Sequence, residues 1–112
     1  MILVNGRNVA GDSPSLPRSA VGLNLGGRFL TLLVVDGRQP RYSEGASLRE
    51  LADLLMDYNC HDAMSLDGGG SSTLVTRTAL GGSRVLNSPI DGSIPGSERV
   101  VGNHLGFYAR KE

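Results

Sequence analysis

Phe29-Leu30-Thr31-Leu32-Leu33-Val34-Val35-Asp36-Gly37 is the stretch on which the fold turns. Its nearly unbroken apolar run reads as a strand at the centre of a sheet, covered on both faces. Gly26-Gly27 stands just upstream, so 20–25 and 28–35 are predicted to be antiparallel strands around a tight turn. Asn5-Gly6 between 2–4 and 7–9 predicts a second, smaller hairpin, because a type I′ turn needs positive φ at both central residues. The segment 11–17, rich in Ser, Pro and Asp, reads as a loop.

Downstream, Leu48, Leu51, Ala52 and Leu55 recur at helical spacing and predict a helix over 48–58 with one apolar stripe facing the sheet. Ser47 with Glu50 three residues later forms a capping-box signature. A short strand is predicted at 63–66, a hairpin of 73–77 with 84–86 around Gly81-Gly82, a polar loop at 87–99 and a final strand at 104–109. The expected fold class is α+β: a mostly antiparallel or mixed β-sheet with one main amphipathic helix packed on it.

The 112 residues suit a single domain, and no apolar stretch reaches the roughly 18 residues of a membrane span. Eleven basic and eleven acidic residues leave no net field to attract nucleic acid or an anionic membrane. The lone Cys60 excludes an internal disulfide and reads as a small residue closing the helix. No secretion signal is read at the N-terminus, and nothing here fixes the compartment.

Two acidic residues stand where apolar strands stop, Asp36 and Asp67, each followed by glycine. Such a carboxylate is held by a rigid element yet reaches a cleft, although Asp-Gly alone reads first as a turn. Asp67-Gly68-Gly69-Gly70-Ser71-Ser72 is harder to reduce to a turn. Glycine loses the most backbone entropy on ordering, so three in succession between strands suggest amides directed at a ligand, with the Ser71 and Ser72 hydroxyls suited to phosphate oxygens. Arg18, Arg38 and Arg99 lie in loops beside these elements and are candidates to fork onto a phosphate. Glu98-Arg99 also reads as a surface ion pair, and His61 and His104 lack ligand spacing.

Taken in order, Pro17-Arg18-Ser19-Ala20-Val21-Gly22, Val35-Asp36-Gly37-Arg38-Gln39, Tyr42-Ser43-Glu44-Gly45, Leu66 to Thr73 around the glycines, Asn87-Ser88-Pro89 and Glu98-Arg99-Val100-Val101-Gly102-Asn103 form a pattern that resembles the phosphodiester glycosidase family. The resemblance spans 18–107 and implies hydrolysis of a bond between an α-linked sugar and a phosphate, the phosphate remaining on its other alcohol. It points to Arg18, Asp36, Arg38, Ser43, Gly45, Asp67, Gly68, Gly69, Gly70, Ser71, Ser72, Arg99 and Asn103 as site positions. It also implies a secreted or cell-envelope setting. Ser19, Ser65 and Gly102 depart from the residues usual in the family, which bears on substrate contacts. Members normally carry a further N-terminal half, which this sequence is expected to lack; a truncated reading frame, a fragment, or a minimal version that completes its sheet by pairing with another copy as a homodimer are the readings of that.

Since a phosphate monoester with a last pKa near ~6 leaves readily, catalysis of this kind rests on stabilising its negative charge. Asp67 is the first candidate for the catalytic carboxylate and Asp36 the second, unless Asp36 instead orients Arg38. A metal-dependent phosphodiesterase holding Mg²⁺ or Ca²⁺ on the two aspartates, a non-catalytic sugar-phosphate-binding module and an oligomerising module are the competing readings.

Overall fold

The computed structural model describes residues 1–102 and 104–110. Strands β1 (Leu3–Val4) and β2 (Arg7–Asn8) form the expected hairpin, with Asn5 at φ 51° and Gly6 at φ 73°. Both values are left-handed, as a type I′ turn demands. The turn is tied to the next layer of chain: the Gly6 amide donates to the His61 carbonyl at 2.8 Å and the Asn5 amide to Asp62 Oδ1 at 3.0 Å. The Asn5 hydrogen bond, followed by the His61 ring, holds the Asp62 carboxyl below its ordinary range.

β3 (Arg18–Leu23) pairs along its length with β4 (Leu30–Val35), from Arg18 opposite Val35 to Leu23 opposite Leu30. β5 (Asp62–Ser65) takes the other edge of β3, and β1 pairs with β5. The sheet therefore runs β2-β1-β5-β3-β4, antiparallel throughout. One helix on a sheet-dominated chain makes this the α+β fold expected.

β4 corrects the sequence reading, because it is an edge strand and β3 lies inside. Its continuous apolar character has another cause. Successive side chains of a strand point to opposite faces. Leu33 and Val35 pack on the helix side with Ala20 and Ala63, while Leu32 and Val34 lie on the opposite face and line a cavity. Both faces of β4 meet apolar surroundings, but only one is covered by a packed element.

Helix α1 (Leu48–Asp57) buries Leu51, Ala52 and Leu55 against Ile2, Leu3, Ala20 and Ala63. Its capping box forms as predicted: Ser47 Oγ accepts from the Glu50 amide at 3.1 Å, and Glu50 Oε1 accepts from the Ser47 amide at 3.0 Å. These hydrogen bonds with Ser47 hold the Glu50 carboxyl below its ordinary range. Cys60 is buried just past the helix end. A Cβ on Gly22 would stand 2.6 Å from its sulfur, so the glycine lets the helix exit press onto β3.

β6 (Val75–Arg77) and β7 (Ser83–Val85) make the predicted hairpin. A further hairpin, β8 (Ile90–Asp91) with β9 (Ile94–Pro95), lies inside the segment read as a polar loop. Gly92 at φ 59° and Ser93 at φ 63° form its turn. The final strand predicted at 104–109 is absent among the described residues: 104–110 form no ladder, and Tyr108 is fully exposed. An apolar pattern without a partnering edge does not make a strand.

Candidate functional site

Loop 36–45 leaves the end of β4 and folds tightly onto the chain at 16–17. A Cβ on Gly37 would come within 2.6 Å of the Pro17 nitrogen, and one on Gly45 would run into the Leu16 backbone. Inside the loop, Gln39 and Ser43 bridge in antiparallel fashion and Ser43 Oγ donates to the Asp36 carbonyl at 2.6 Å. Ser43 thus serves the loop's own turn. Arg38 holds a left-handed φ of 55°, a conformation costly for a residue with a side chain. The outcome is that its guanidinium reaches the glycine loop, with NH2 3.4 Å from where a Gly69 Cβ would be.

After β5, Gly69–Ser71 form a single 3₁₀ turn in which Gly69 takes φ 60°. The loop amides largely serve the protein itself. Gly68 donates to the Asp67 carboxylate at 3.1 Å, Gly69 to the Pro17 carbonyl at 2.9 Å, and Ser71 and Ser72 back to Gly68 and Gly69. On the other side of the turn lies Arg99, its NH2 only 2.5 Å from a Cβ position on Gly70. Arg99 Nε donates to Asp91 Oδ1 at 3.0 Å, so the β8–β9 hairpin fixes its stem. Two guanidinium groups from distant loops therefore approach neighbouring glycines; at Gly70 the missing side chain is what admits Arg99, whereas a Cβ on Gly69 would stand in ordinary contact with Arg38.

A cavity of about 520 Å³ opens beside this turn. Asp67, Ser71 and Arg99 line it, together with Glu98, His104 and an apolar wall that includes Leu32, Val34, Met64 and Leu74. Asp36 does not line it. Its Oδ1 accepts from Asn87 Nδ2 at 3.0 Å, both its oxygens face the Ser88 amide at 2.9 and 3.0 Å, and Oδ2 accepts from the Tyr42 hydroxyl at 2.8 Å. With its lone pairs engaged in this way, Asp36 acts as a structural anchor. First through that hydrogen bond and then through its charge, it raises the Tyr42 phenol above its ordinary range.

Arg18 also lies apart from the glycine turn in its bonding: Nε donates to the Ala46 carbonyl at 2.9 Å and NH2 to the Pro14 carbonyl at 2.7 Å. Its guanidinium joins loops on the helix side. Ser72 is 1% exposed, and its Oγ has no hydrogen-bond partner among the described residues. Asn103 lies outside the described residues. Among those described, no three His, Cys, Asp or Glu side chains gather to hold a metal ion, so a Mg²⁺ or Ca²⁺ site on Asp36 and Asp67 has no third such ligand. No described helix is long and apolar enough to cross a membrane.

Several participants were not singled out from the sequence. Asn87 accepts from the Leu74 amide at 2.8 Å and donates to the Ser72 carbonyl at 2.8 Å as well as to Asp36. Gln39 is buried, donating to the Gly37 and Ser88 carbonyls while its Oε1 accepts from Ser88 Oγ at 2.7 Å. The string Asn87-Ser88-Pro89 was visible, but its role required knowing that three loops meet there.

These features have a counterpart among known proteins. The family model for phosphodiester glycosidases matches residues 1–108, and the chain belongs to that family. The match begins earlier than the 18–107 span expected from the motifs, taking in the first hairpin. A relative is the SPbeta prophage-derived uncharacterized protein YomE of Bacillus subtilis (strain 168), 38% identical over 76 residues, which are 68% of this chain and 11% of that protein. The chain thus matches a small part of that relative's length.

Proposed function

We propose that this chain hydrolyses a sugar-1-phosphodiester at the bond between the anomeric carbon and the phosphate oxygen. The observation that carries the reading is that Asp67, Ser71 and Arg99 line one cavity at the glycine turn, with Arg38 reaching the same turn from loop 36–45. The Arg99 guanidinium would take the developing charge of the departing phosphate monoester and the Ser71 hydroxyl would donate to one of its oxygens, while Arg38, which does not line the cavity, would hold the glycine turn from behind. Asp67 is the carboxylate for the anomeric carbon, accepting the proton of the attacking water. The water oxygen joins that carbon as the C–O bond breaks, and the electron pair leaves with the phosphate. Glu98, in the same cavity, takes the place that sequence reasoning gave to Asp36 as the second carboxylate.

Turnover of a p-nitrophenyl sugar phosphodiester in ¹⁸O-labelled water tests this. Label in the sugar and a loss of at least about 100-fold in kcat for Asp67→Asn are expected. Label in the phosphate would mean P–O cleavage and overturn the assignment. Binding of the diester without any turnover would leave a sugar-phosphate-binding module.

A further inference from the structure

The cavity beside Asp67 is apolar over most of its wall, which bears on what the phosphate is attached to. On the sheet face opposite α1, register places Leu32 beside Val21 and Val21 beside Met64. Leu32, Val34, Met64 and Leu66 form a floor, and Leu74 and Val75 stand on the β6 side. Leu32 is 40% exposed, Met64 43% and Val75 50%. Six aliphatic side chains facing one hollow keep apolar surface in contact with water, which is unfavourable in proportion to its area. None of them offers a hydrogen bond to a hydroxyl-rich group, so a sugar or glycerol placed there would lose its water partners without replacement.

We propose that this floor receives the alcohol half of the substrate, and that the preferred substrates are sugar-1-phosphodiesters of an apolar, alkyl-chain alcohol. The inference rests on the glycosidase reading and specifies its aglycone. Arg99 and the floor together select this occupant. Beside the carboxylates Asp67 and Glu98, which face the sugar side of the reaction in the glycosidase reading, the cavity offers one guanidinium and one aliphatic surface. A single ligand with an anionic phosphate and an attached hydrocarbon chain satisfies both. At about 520 Å³ the cavity lies within the usual range of roughly 300–1,000 Å³ for small-molecule sites.

The test uses the full chain and the non-hydrolysable product side of the reaction. Calorimetric titration with butyl phosphate and octyl phosphate, kept below the concentration at which the latter aggregates, should show octyl phosphate binding about 80-fold tighter, given a gain of roughly threefold for each of the four added methylenes. Octanol should bind far more weakly than octyl phosphate. Leu32→Thr, which keeps a strand-forming residue, should cut the octyl-over-butyl affinity ratio by roughly tenfold. If that variant fails to fold, Val75→Thr in the exposed hairpin serves the same purpose. Equal affinity for butyl and octyl phosphate overturns the proposal. So does a concentration-dependent dimer that Leu32→Thr dissociates, because a second copy would then be the cover of the floor. Absence of turnover on every diester, with the octyl preference intact, would sink the glycosidase reading alone. Turnover indifferent to chain length would sink this one alone.

Discussion

The side-chain amide of Asn87 donates to Asp36 Oδ1 at 3.0 Å across 51 residues of chain. Through the same amide it reaches the Ser72 carbonyl, and its oxygen accepts from Leu74. One side chain thus joins the end of β4, the segment after the glycine turn and the loop preceding β8. The carboxylate it meets is a joint in the scaffold, whereas Asp67 faces the cavity.

Asp36→Ala and Asn87→Ala are therefore expected to cost about 2–3 kcal/mol each in folding stability, since the first strands the Asn87 and Ser88 donors and the second strands the Leu74 amide and the Ser72 carbonyl. Chemical denaturation of both single variants and the double variant should show a coupling of about 1 kcal/mol. Asp67→Asn, by contrast, should change stability by less than about 0.5 kcal/mol while abolishing turnover.

Gly70→Ala places a Cβ where Arg99 now lies, 2.5 Å from its NH2. A flexible side chain yields more readily than backbone, so the fold should survive and the arginine should move. The expected result is a rise in KM and weaker inhibition by phosphate monoesters, roughly tenfold, with Tm nearly unchanged. Gly69→Ala differs in kind: at φ 60° it should lose about 1 kcal/mol of stability through backbone strain.

Ser72→Ala removes a buried hydroxyl that has no partner among the described residues. Stability should stay level or rise by up to about 1 kcal/mol in thermal melts. A fall in activity with unchanged Tm would show that this buried hydroxyl positions the glycine turn for turnover.

Acid should loosen the first hairpin and the start of α1. Both Asp62 and Glu50 have carboxyls depressed by hydrogen bonds in the folded chain. Depressed groups stabilise the fold above their unfolded pKa, and that stabilisation disappears as pH falls through the folded value. Melting temperature should accordingly drop below a pH of about 4, and the Asp62→Asn, Glu50→Gln double variant should show a shallower decline.

The local grammar of this chain was legible wherever neighbouring residues decide the outcome. Asn5-Gly6 gave its turn, Ser47 and Glu50 their cap, and Leu51, Ala52 and Leu55 their buried stripe. Position in the sheet was another matter. Nothing within 29–35 tells whether a two-faced apolar strand owes its outer face to a second layer or to a hollow, and β4 proved to be an edge. Likewise Asp36 and Asp67 look alike in sequence, each an aspartate before glycine at the end of a strand. Only the arrival of Asn87, Ser88 and Tyr42 separates an anchored carboxylate from one that lines a cavity. The strand expected at 104–109 does not form among the described residues, because a strand needs a partner edge and nothing within that segment specifies one.

The pleat of β4 also gives this chain two largely separate handles. Thr31, Leu33 and Val35 answer to the helix layer, Leu30, Leu32 and Val34 to the opposite face. Variation at the even positions bears mainly on the wall of the hollow, and variation at the odd ones mainly on the helix layer, although Leu33 borders both. Selection, natural or in the laboratory, can therefore work on the shape of the hollow and on robustness along one six-residue segment largely by alternate steps.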